Sequence, residues 1–301
     1  MGMNEVIAKI LPVIIIFILG YVLKSIRLLK TEDADRFMKL VFYVSGPSLI
    51  LMSLMSVDLK QFAWSFPIIV ACNVLITFLV SYAASKVMKL ERKTAGVLVV
   101  GTMIMNTGML IPFFYAGYGS EGLAKLMMFD LFNAILVFTL IYYMACSYGG
   151  NKKTYRDILK KLVSSPPLWS IILGIILNMI GFTIPGIASS LFHYLGEMNV
   201  PLVMLSLGVY FNPKIVKGRL AIIGILTRMG IGFFMGLIYI GVFRLQGLEM
   251  VVALIASSAP AGYNTLTFAS LENLDKEFAA TLVSFTILIG MVLVPILMML
   301  L

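Results

Sequence analysis

Apolar residues run along this chain in ten long stretches, separated by short polar, glycine-containing or proline-containing breaks. A helix needs about 20 mostly apolar residues to cross the hydrocarbon core of a bilayer, and these stretches are close to that length. The pattern therefore predicts an all-α polytopic membrane protein with ten transmembrane helices. Their expected bounds are 5–25, 34–56, 64–86, 95–117, 122–147, 166–184, 187–211, 218–243, 248–270 and 276–300.

Composition agrees with a membrane protein. The chain has 301 residues, of which 60% are hydrophobic and 12% charged, and its mean hydropathy is +1.02. Soluble proteins average roughly 45–50% apolar and about 25% charged residues, so a soluble enzyme, a disordered protein and a free nucleic-acid binder are excluded. Cys72 and Cys146 lie in apolar stretches and are expected to be packing residues rather than metal ligands.

The positive charge falls mainly in alternate loops. The formal net charge is +9, and the odd-numbered loops hold most of the Lys and Arg residues. Because cytoplasmic loops carry this excess, we expect a multi-pass cell-membrane protein with odd loops inside and both termini outside. The ninth loop, residues 271–276, is mostly acidic, but acidic residues count little in this rule.

The two halves of the chain resemble each other. A constant shift of 154 residues places proline or glycine on an identical residue at three positions. The pairs are Pro12 with Pro166, Gly20 with Gly174, and Pro47 with Pro201. Each half holds five predicted helices, an odd number, so the halves would insert with opposite topology. We therefore predict inverted five-helix repeats over residues 1–150 and 166–301, joined by a cytoplasmic linker over residues 151–165.

The fourth and ninth predicted helices are interrupted at corresponding positions. The interruptions are Met-Asn-Thr-Gly-Met-Leu-Ile-Pro over 105–112 and Ser-Ser-Ala-Pro-Ala-Gly-Tyr-Asn over 257–264. Proline removes a backbone donor and glycine tolerates unusual backbone angles, so both helices should unwind there. Unwound backbone is tolerated at membrane depth only where protein or a water-filled cavity surrounds it, so the two breaks are expected to meet in the interior.

A half-helix that restarts after a break presents free N–H groups and the positive end of its dipole, which attract an anion. Two such ends, with the side-chain amides of Asn106 and Asn264, would bind a carboxylate without a lysine or arginine. The alternative is a pair of proline kinks that only shape packing. The substrate-binding candidates are Asn106, Thr107, Gly108, Pro112, Pro260, Tyr263 and Asn264.

Ionisable residues are rare inside the predicted helices. Asp130 lies in the fifth helix with Asn133 on the same face, and Arg228 lies in the eighth. An ionisable group at this depth is a functional hypothesis by default. Asp130, Asn133 and Arg228 are thus candidates to support the site or relay a proton, and the alternative is a structural ion pair between Asp130 and Arg228.

Five short segments carry a family resemblance. They are Gly46-Pro47-Ser48-Leu49, Asn106-Thr107-Gly108, Phe129-Asp130-Leu131-Phe132-Asn133, Val200-Pro201-Leu202 and Ala259-Pro260-Ala261-Gly262-Tyr263-Asn264. In combination they resemble the auxin efflux carrier family over essentially the whole chain, specifically its short bacterial members, which are described as malate or other organic-acid permeases.

The resemblance implies a crossing of the fourth and ninth helices at their unwound centres, where the carboxylate binds and an asparagine like Asn106 contacts it. It also implies that the first, second, sixth and seventh helices form a dimerising scaffold, against which the other six move in an elevator-type cycle. Asn106 and Pro112 are six residues apart, one fewer than the family pattern, and the ninth helix lacks a second proline, so the substrate stays open.

These patterns predict a secondary transporter that exports a small organic anion, such as an auxin-like acid or malate. An interior-negative membrane favours export of one negative charge by about 2.3 kcal/mol per 100 mV. The alternative is a sodium-coupled organic-anion symporter with a bile-acid-symporter-like fold, because half-helix ends and unwound carbonyls also bind Na⁺.

An enzyme is not expected, because the chain has one histidine and lacks both HExxH and GxSxG. No cofactor, metal or nucleic acid is predicted. The expected partners are the organic anion, the lipid bilayer and a second copy of the chain.

Overall fold

The computed structural model describes residues 3–55, 64–150, 156, 163–164 and 166–301. Helices dominate, and no β-strand occurs in these ranges. Most of the predicted linker, residues 151–165, lies outside the described residues, as does the predicted loop after residue 55.

The helices of the first half are α1 Met3–Ser25, α2 Thr31–Leu40, α3 Gly46–Met55, α4 Ser65–Val87, α5 Arg92–Met103, α6 Thr107–Leu136 and α7 Tyr142–Gly149. Those of the second half are α8 Pro166–Met179, α9 Gly186–Glu197, α10 Asn199–Tyr210, α11 Gly218–Ile225, α12 Ile231–Phe243, α13 Gly247–Ser257, α14 Asn264–Leu271 and α15 Lys276–Leu300. π-Helical turns at Val41–Ser45, Val137–Ile141 and Leu226–Gly230 join α2 to α3, α6 to α7, and α11 to α12.

Several of these helices are long and apolar enough to cross a bilayer. Within the described residues, five continuous stretches meet this requirement: Thr31–Met55, Ser65–Val87, Thr107–Gly149, Gly218–Phe243 and Lys276–Leu300. Shorter apolar helices cover Leu11–Ser25, Pro166–Met179 and Gly247–Ser257. The chain is therefore a polytopic helical membrane protein.

The longest of these stretches reverses direction at Gly119, which has φ 64° and ψ −155°. At 1.5 Å per residue, a straight helix would separate Thr107 from Asp130 by about 35 Å. The hydroxyl of Thr107 nevertheless donates a hydrogen bond to the carboxylate of Asp130. The arms 107–118 and 120–136 therefore run back along each other, and they correspond to the second part of the predicted fourth helix and to the predicted fifth helix.

Helix ends otherwise follow the predicted spans closely, with one clear difference. α8 ends at Met179 rather than at 184, and Gly181 beyond it has φ 68°, a left-handed conformation that favours glycine.

Glycines allow α1 and α10 to pack with their backbones in contact. A Cβ on Gly20 would lie 2.3 Å from the carbonyl oxygen of Leu205, and a Cβ on Gly208 would lie 2.0 Å from that of Phe17. Any larger side chain would force the helices apart. The stretches of α5 from Thr94 to Met103 and of α13 from Val251 to Ser257 are buried throughout, so these two helices lie in the protein interior.

Candidate functional site

The two predicted helix breaks are present, and they cross in the interior. Met105 and Ala261 form an isolated antiparallel bridge. The N–H of Asn106 donates to the Pro260 carbonyl at 3.0 Å, and the N–H of Gly262 donates to the Ile104 carbonyl at 3.2 Å. Each unwound segment thus supplies hydrogen-bond partners for the other, which is how backbone at this depth escapes the cost of unpaired polar groups.

Asn106 joins the two breaks and also caps α6. Its Oδ1 accepts a hydrogen bond from the N–H of Met109 at 3.1 Å, as an N-cap residue does. Its Nδ2 donates to the carbonyl of Ala261 at 3.3 Å. An amide nitrogen carries two hydrogens, so one donor of Asn106 remains for a ligand.

A buried polar cluster stands beside the first break. Asn133 Nδ2 donates to Asp130 Oδ1 at 2.9 Å, to the carbonyl of Met105 at 3.1 Å and to Thr107 Oγ1 at 3.4 Å. Thr107 in turn donates to Asp130. Asn133 Oδ1 is buried without a hydrogen-bond partner. The reversal at Gly119 brings these residues together, because Asp130 and Asn133 lie on the second arm of α6.

Arg228 bonds the backbone on the opposite side of the crossing. Its guanidinium is fully buried and donates to three backbone carbonyls: Thr102 from Nη1 at 2.9 Å, Ala259 from Nε at 3.2 Å, and Ser257 from Nη2. These carbonyls lie at or just beyond the C-terminal ends of α5 and α13, where a cation is favoured by the helix dipole. The π-helical turn that contains Arg228 is a common feature of functional helix sites.

The predicted alternative of an ion pair between Asp130 and Arg228 is wrong. Within the described residues, Asp130 is bonded to Thr107 and Asn133, whereas Arg228 is bonded to backbone carbonyls. The two charged groups therefore serve different sides of the crossing.

A cavity of about 210 Å³ opens beside the crossing. Seven of the predicted site residues line it: Asn106, Thr107, Gly108, Asp130, Asn133, Tyr263 and Asn264. Three do not. Arg228 faces the helix C-termini, Pro112 lies buried inside α6, six residues past its cap, and the ring of Pro260 packs towards Gly290 of α15.

The N-terminal ends of α6 and α14 both face this cavity, through Asn106–Gly108 and Gly262–Asn264. Helix N-termini carry a partial positive charge. In the first turn of α6, Thr107 and Met109 already donate their N–H groups to the Met105 carbonyl and to Asn106 Oδ1, which leaves the N–H of Gly108 without a partner among the described residues. In the first turn of α14, Thr265 and Leu266 are paired in the same way, which leaves the N–H of Asn264. Among the described lining residues there is no lysine, arginine or histidine, and the one carboxylate is that of Asp130. The cavity can therefore hold an anion by backbone and amide groups alone.

The sequence model of the membrane transport protein family matches residues 5–298. The chain belongs to this family. The resemblance to auxin efflux carriers read from the motifs is thereby confirmed.

Two archaeal relatives match nearly the full length of this transporter. A protein of Methanothermobacter thermautotrophicus named "Uncharacterized transporter" is 30% identical over 302 residues, covering 98% of this chain and 97% of that protein. "Uncharacterized transporter MJ1031" of Methanocaldococcus jannaschii is 30% identical over 287 residues, covering 92% of each chain.

Sequence reasoning missed two polar residues of the transporter's interior, Asn199 and Ser45. Asn199 is fully buried and lines the cavity, and neither of its side-chain polar atoms has a hydrogen-bond partner. Ser45 is buried with an unpartnered hydroxyl. A signal existed, since the shift of 154 residues aligns Ser45 with Asn199, each two residues before the repeated proline.

Tyr263 separates the central cavity of the transporter from a second one of about 480 Å³ that it also lines. Its ring stacks on Tyr210 with centroids 4.4 Å apart. Asp35 Oδ1 accepts hydrogen bonds from the hydroxyls of Tyr210 at 2.7 Å and Tyr263 at 3.4 Å. Lys24 and Lys276 also line this second cavity, the vestibule, which therefore holds two lysines against the one carboxylate of Asp35.

A hydrogen-bonded cluster around Asp275 joins helices α5, α11 and α15 of the transporter. The Asp275 carboxylate, which caps α15, accepts from Lys217 Nζ at 2.5 Å, from Thr94 Oγ1 at 2.7 Å and from the N–H of Phe278 at 3.1 Å. Partial burial acts to raise the pKa of Asp275, but these hydrogen bonds outweigh it and hold the pKa below its ordinary value. The ionised carboxylate thus stabilises the contact between α5, α11 and α15.

Proposed function

We propose that this protein is a secondary transporter that carries a small organic anion across the cell membrane and binds its carboxylate where the two helix breaks cross. The convergence of two half-helix N-termini on one cavity carries this proposal. Carboxylate binding there relies on the N–H groups of the restarted helices and the free donor of Asn106. Asn264 adds a side-chain amide that has no hydrogen-bond partner among the described residues and also lines the cavity.

The size of the cavity favours a small substrate. Its volume of about 210 Å³ is below the roughly 300–1,000 Å³ of sites that hold drug-sized ligands. A short organic acid fits this volume better than an acid with a large aromatic ring system.

Packing supports a ten-helix fold of two inverted repeats. Gly20 of α1 contacts Leu205 of α10, and Gly174 of α8, its partner under the shift, contacts Leu54 of α3. The same helix–helix contact therefore occurs twice, once from each half. In this proposal α1–α3 and α8–α10 form the dimerising scaffold, and the remaining helices carry the crossing and move as an elevator-type unit.

The carboxylate of Asp130 affects which ion is transported together with the substrate. Its carboxylate lines the same cavity as the proposed anion, and two like charges in one buried site repel each other strongly. Arg228 does not relieve this repulsion, because it bonds backbone carbonyls instead. A proton bound to Asp130 would remove the conflict, so we propose that substrate and proton move together. The alternative co-transported ion is sodium. The Oδ1 of Asn133 favours this alternative, because it is an acceptor beside Asp130 with no hydrogen-bond partner among the described residues.

Transport of labelled short organic acids into proteoliposomes tests this function. We expect saturable uptake that is driven by an imposed pH gradient, responds little to voltage when one proton accompanies one monocarboxylate, does not require sodium, and falls at least tenfold in Asn106→Ala. Gln246→Ala, which removes an exposed amide away from the cavity, is the control and should transport normally. Unchanged uptake by Asn106→Ala would refute the carboxylate site, and strict sodium dependence would favour the symporter instead of proton coupling.

A further inference from the structure

The buried amide of Asn199 is not explained by packing. Its side chain is fully buried, and both Nδ2 and Oδ1 lack hydrogen-bond partners. An unpaired buried amide destabilises the folded chain, so such groups are rare unless a ligand or water pairs with them. Asn199 lines the central cavity, so a molecule bound there is the candidate partner for this amide.

Asn199 belongs to a different wall of the cavity from the crossing. It is the first residue of α10, and its Nδ2 lies 3.5 Å from the position that a Cβ on Gly46 would occupy at the start of α3. The groups proposed to bind the carboxylate lie on α6 and α14 instead. A substrate held at the crossing would therefore present its other end, or a substituent, to Asn199.

The charges of the cavity restrict what that second group is. Among the described lining residues the cavity has no cation that could neutralise a second carboxylate. Asn133 Oδ1 is a further unpaired acceptor, which requires a donor from the ligand. A hydroxyl or carboxamide both donates and accepts, and it carries no charge, so it matches these groups.

We propose that Asn199 forms a hydrogen-bonding subsite for a hydroxyl or carboxamide group of the substrate, so that the transporter selects short hydroxy monocarboxylates over the plain acids. This inference rests on the proposed carboxylate site at the crossing. It adds the class of substrate and names the residue that selects it.

Binding of lactate and propionate to the purified full-length protein tests the subsite, because these acids differ only by a hydroxyl. Titration calorimetry of the wild type should give a Kd about tenfold lower for lactate, the range expected for one well-placed hydrogen-bonding group. In Asn199→Leu the lactate Kd should rise to that of propionate, while the propionate Kd stays within about twofold of the wild-type value.

A stability readout separates binding from a structural role. Because Asn199→Leu removes an unpaired buried amide and keeps the same branched arrangement of heavy atoms, its melting temperature should equal or exceed that of the wild type. Ser45→Ala, which removes an unpartnered hydroxyl that is not among the cavity-lining residues, should keep the tenfold preference. If Asn199→Leu does not fold, Asn199→Ala is measured in the same way.

The outcomes distinguish this inference from the proposed function. Equal binding of both acids by the wild type, or a tenfold preference that survives in the Asn199 variant, would overturn the subsite alone. Failure of the wild type to bind either acid, or unchanged binding of both by Asn106→Ala, would overturn the carboxylate site itself.

Discussion

The two helix breaks that cross at the cavity are stabilised in different ways. The first is held by its own polar side chains: Asn106 caps α6, and Asn133 bonds the Met105 carbonyl. At the second, the helix that restarts has Tyr263 at its N-cap, without a side-chain cap. There the backbone is paired instead, with the N–H of Ala261 donating to Thr286 Oγ1 at 3.2 Å.

This difference indicates that the two breaks have different roles. Side-chain caps and a buried hydrogen-bond cluster fix the first break, which suits it to hold a carboxylate in one geometry. The second break contacts the vestibule through the stacked ring of Tyr263, so we propose that it controls access. Arg228 is common to both, since it bonds the carbonyls of Thr102 and Ser257, which precede the first and second break respectively.

The largest effect is expected from removing the group that serves both breaks. Arg228→Met leaves three buried carbonyls without their donor, and each unpaired group costs roughly 1–3 kcal/mol. We expect the free energy of unfolding to fall by about 2–5 kcal/mol and transport to be lost. Thermal or denaturant unfolding of the detergent-solubilised protein measures the change.

Arg219→Met is the matched control, because Arg219 is exposed, and it should unfold like the wild type. A loss for Arg228→Met of no more than about 0.5 kcal/mol, the usual range for surface changes, would contradict the assignment of Arg228 as the shared support of the crossing.

The next effect compares the breaks directly by truncating one asparagine in each. Asn106→Ala removes an N-cap and the hydrogen bond to Ala261, so we expect a loss of about 1–2 kcal/mol. Asn264→Ala removes an amide with no protein partner among the described residues and should change stability by less than about 0.5 kcal/mol. Both variants should weaken binding of the organic acid.

Asn106→Ser sharpens this test, because serine also caps a helix but has no amide donor. Its stability should lie between those of the wild type and Asn106→Ala, since the cap is kept and the hydrogen bond to Ala261 is lost, while binding of the acid is weakened as in Asn106→Ala. Equal destabilisation by Asn106→Ala and Asn264→Ala would contradict the difference between the two breaks.

The sequence was sufficient to predict the breaks and most of their neighbours. Proline, glycine and asparagine inside apolar stretches have direct backbone consequences, so the sequence alone places Asn106 and Asn264 at helix restarts. The helix over residues 276–300 was predicted with the observed bounds, because charge and hydropathy change abruptly there.

Other features depend on contacts that no local pattern encodes. Arg228 was expected in the site or paired with Asp130, but the carbonyls it bonds come from α5 and α13, distant in the chain. Asn199 was overlooked because it lies inside the single helix predicted over residues 187–211, whereas the structure begins a new helix there. Its significance is that both polar atoms are unpaired inside a cavity, a property that only packing reveals.

A smaller effect is expected at the Asp275 cluster that joins α5, α11 and α15. Asp275→Asn keeps a good capping residue for α15 but removes the charge paired with Lys217, so we expect a loss of about 0.2–1 kcal/mol near neutral pH. The folded pKa of Asp275 is lowered. Its contribution is therefore present above the unfolded value of about 3.9 and is lost as the pH falls through the folded value.

Unfolding measured from pH 7 to pH 3 tests this sign. The wild type should lose its advantage over Asp275→Asn only at the acidic end of this range. An advantage that persists unchanged to pH 3, or that grows on acidification, would contradict a stabilising carboxylate at this position.

The smallest effect concerns access past the second break. Tyr210→Phe preserves the ring that stacks on Tyr263 but deletes the exposed hydrogen bond to Asp35. We expect stability to change by about 0.5 kcal/mol or less, and the initial rate of acid uptake to rise by about twofold, the factor that corresponds to that energy. Tyr194→Phe, an equivalent change at an exposed tyrosine on α9, should alter neither quantity. A slower rate in Tyr210→Phe would mean that Asp35 and Tyr210 assist entry rather than restrain it, and access would then not be limited at the second break.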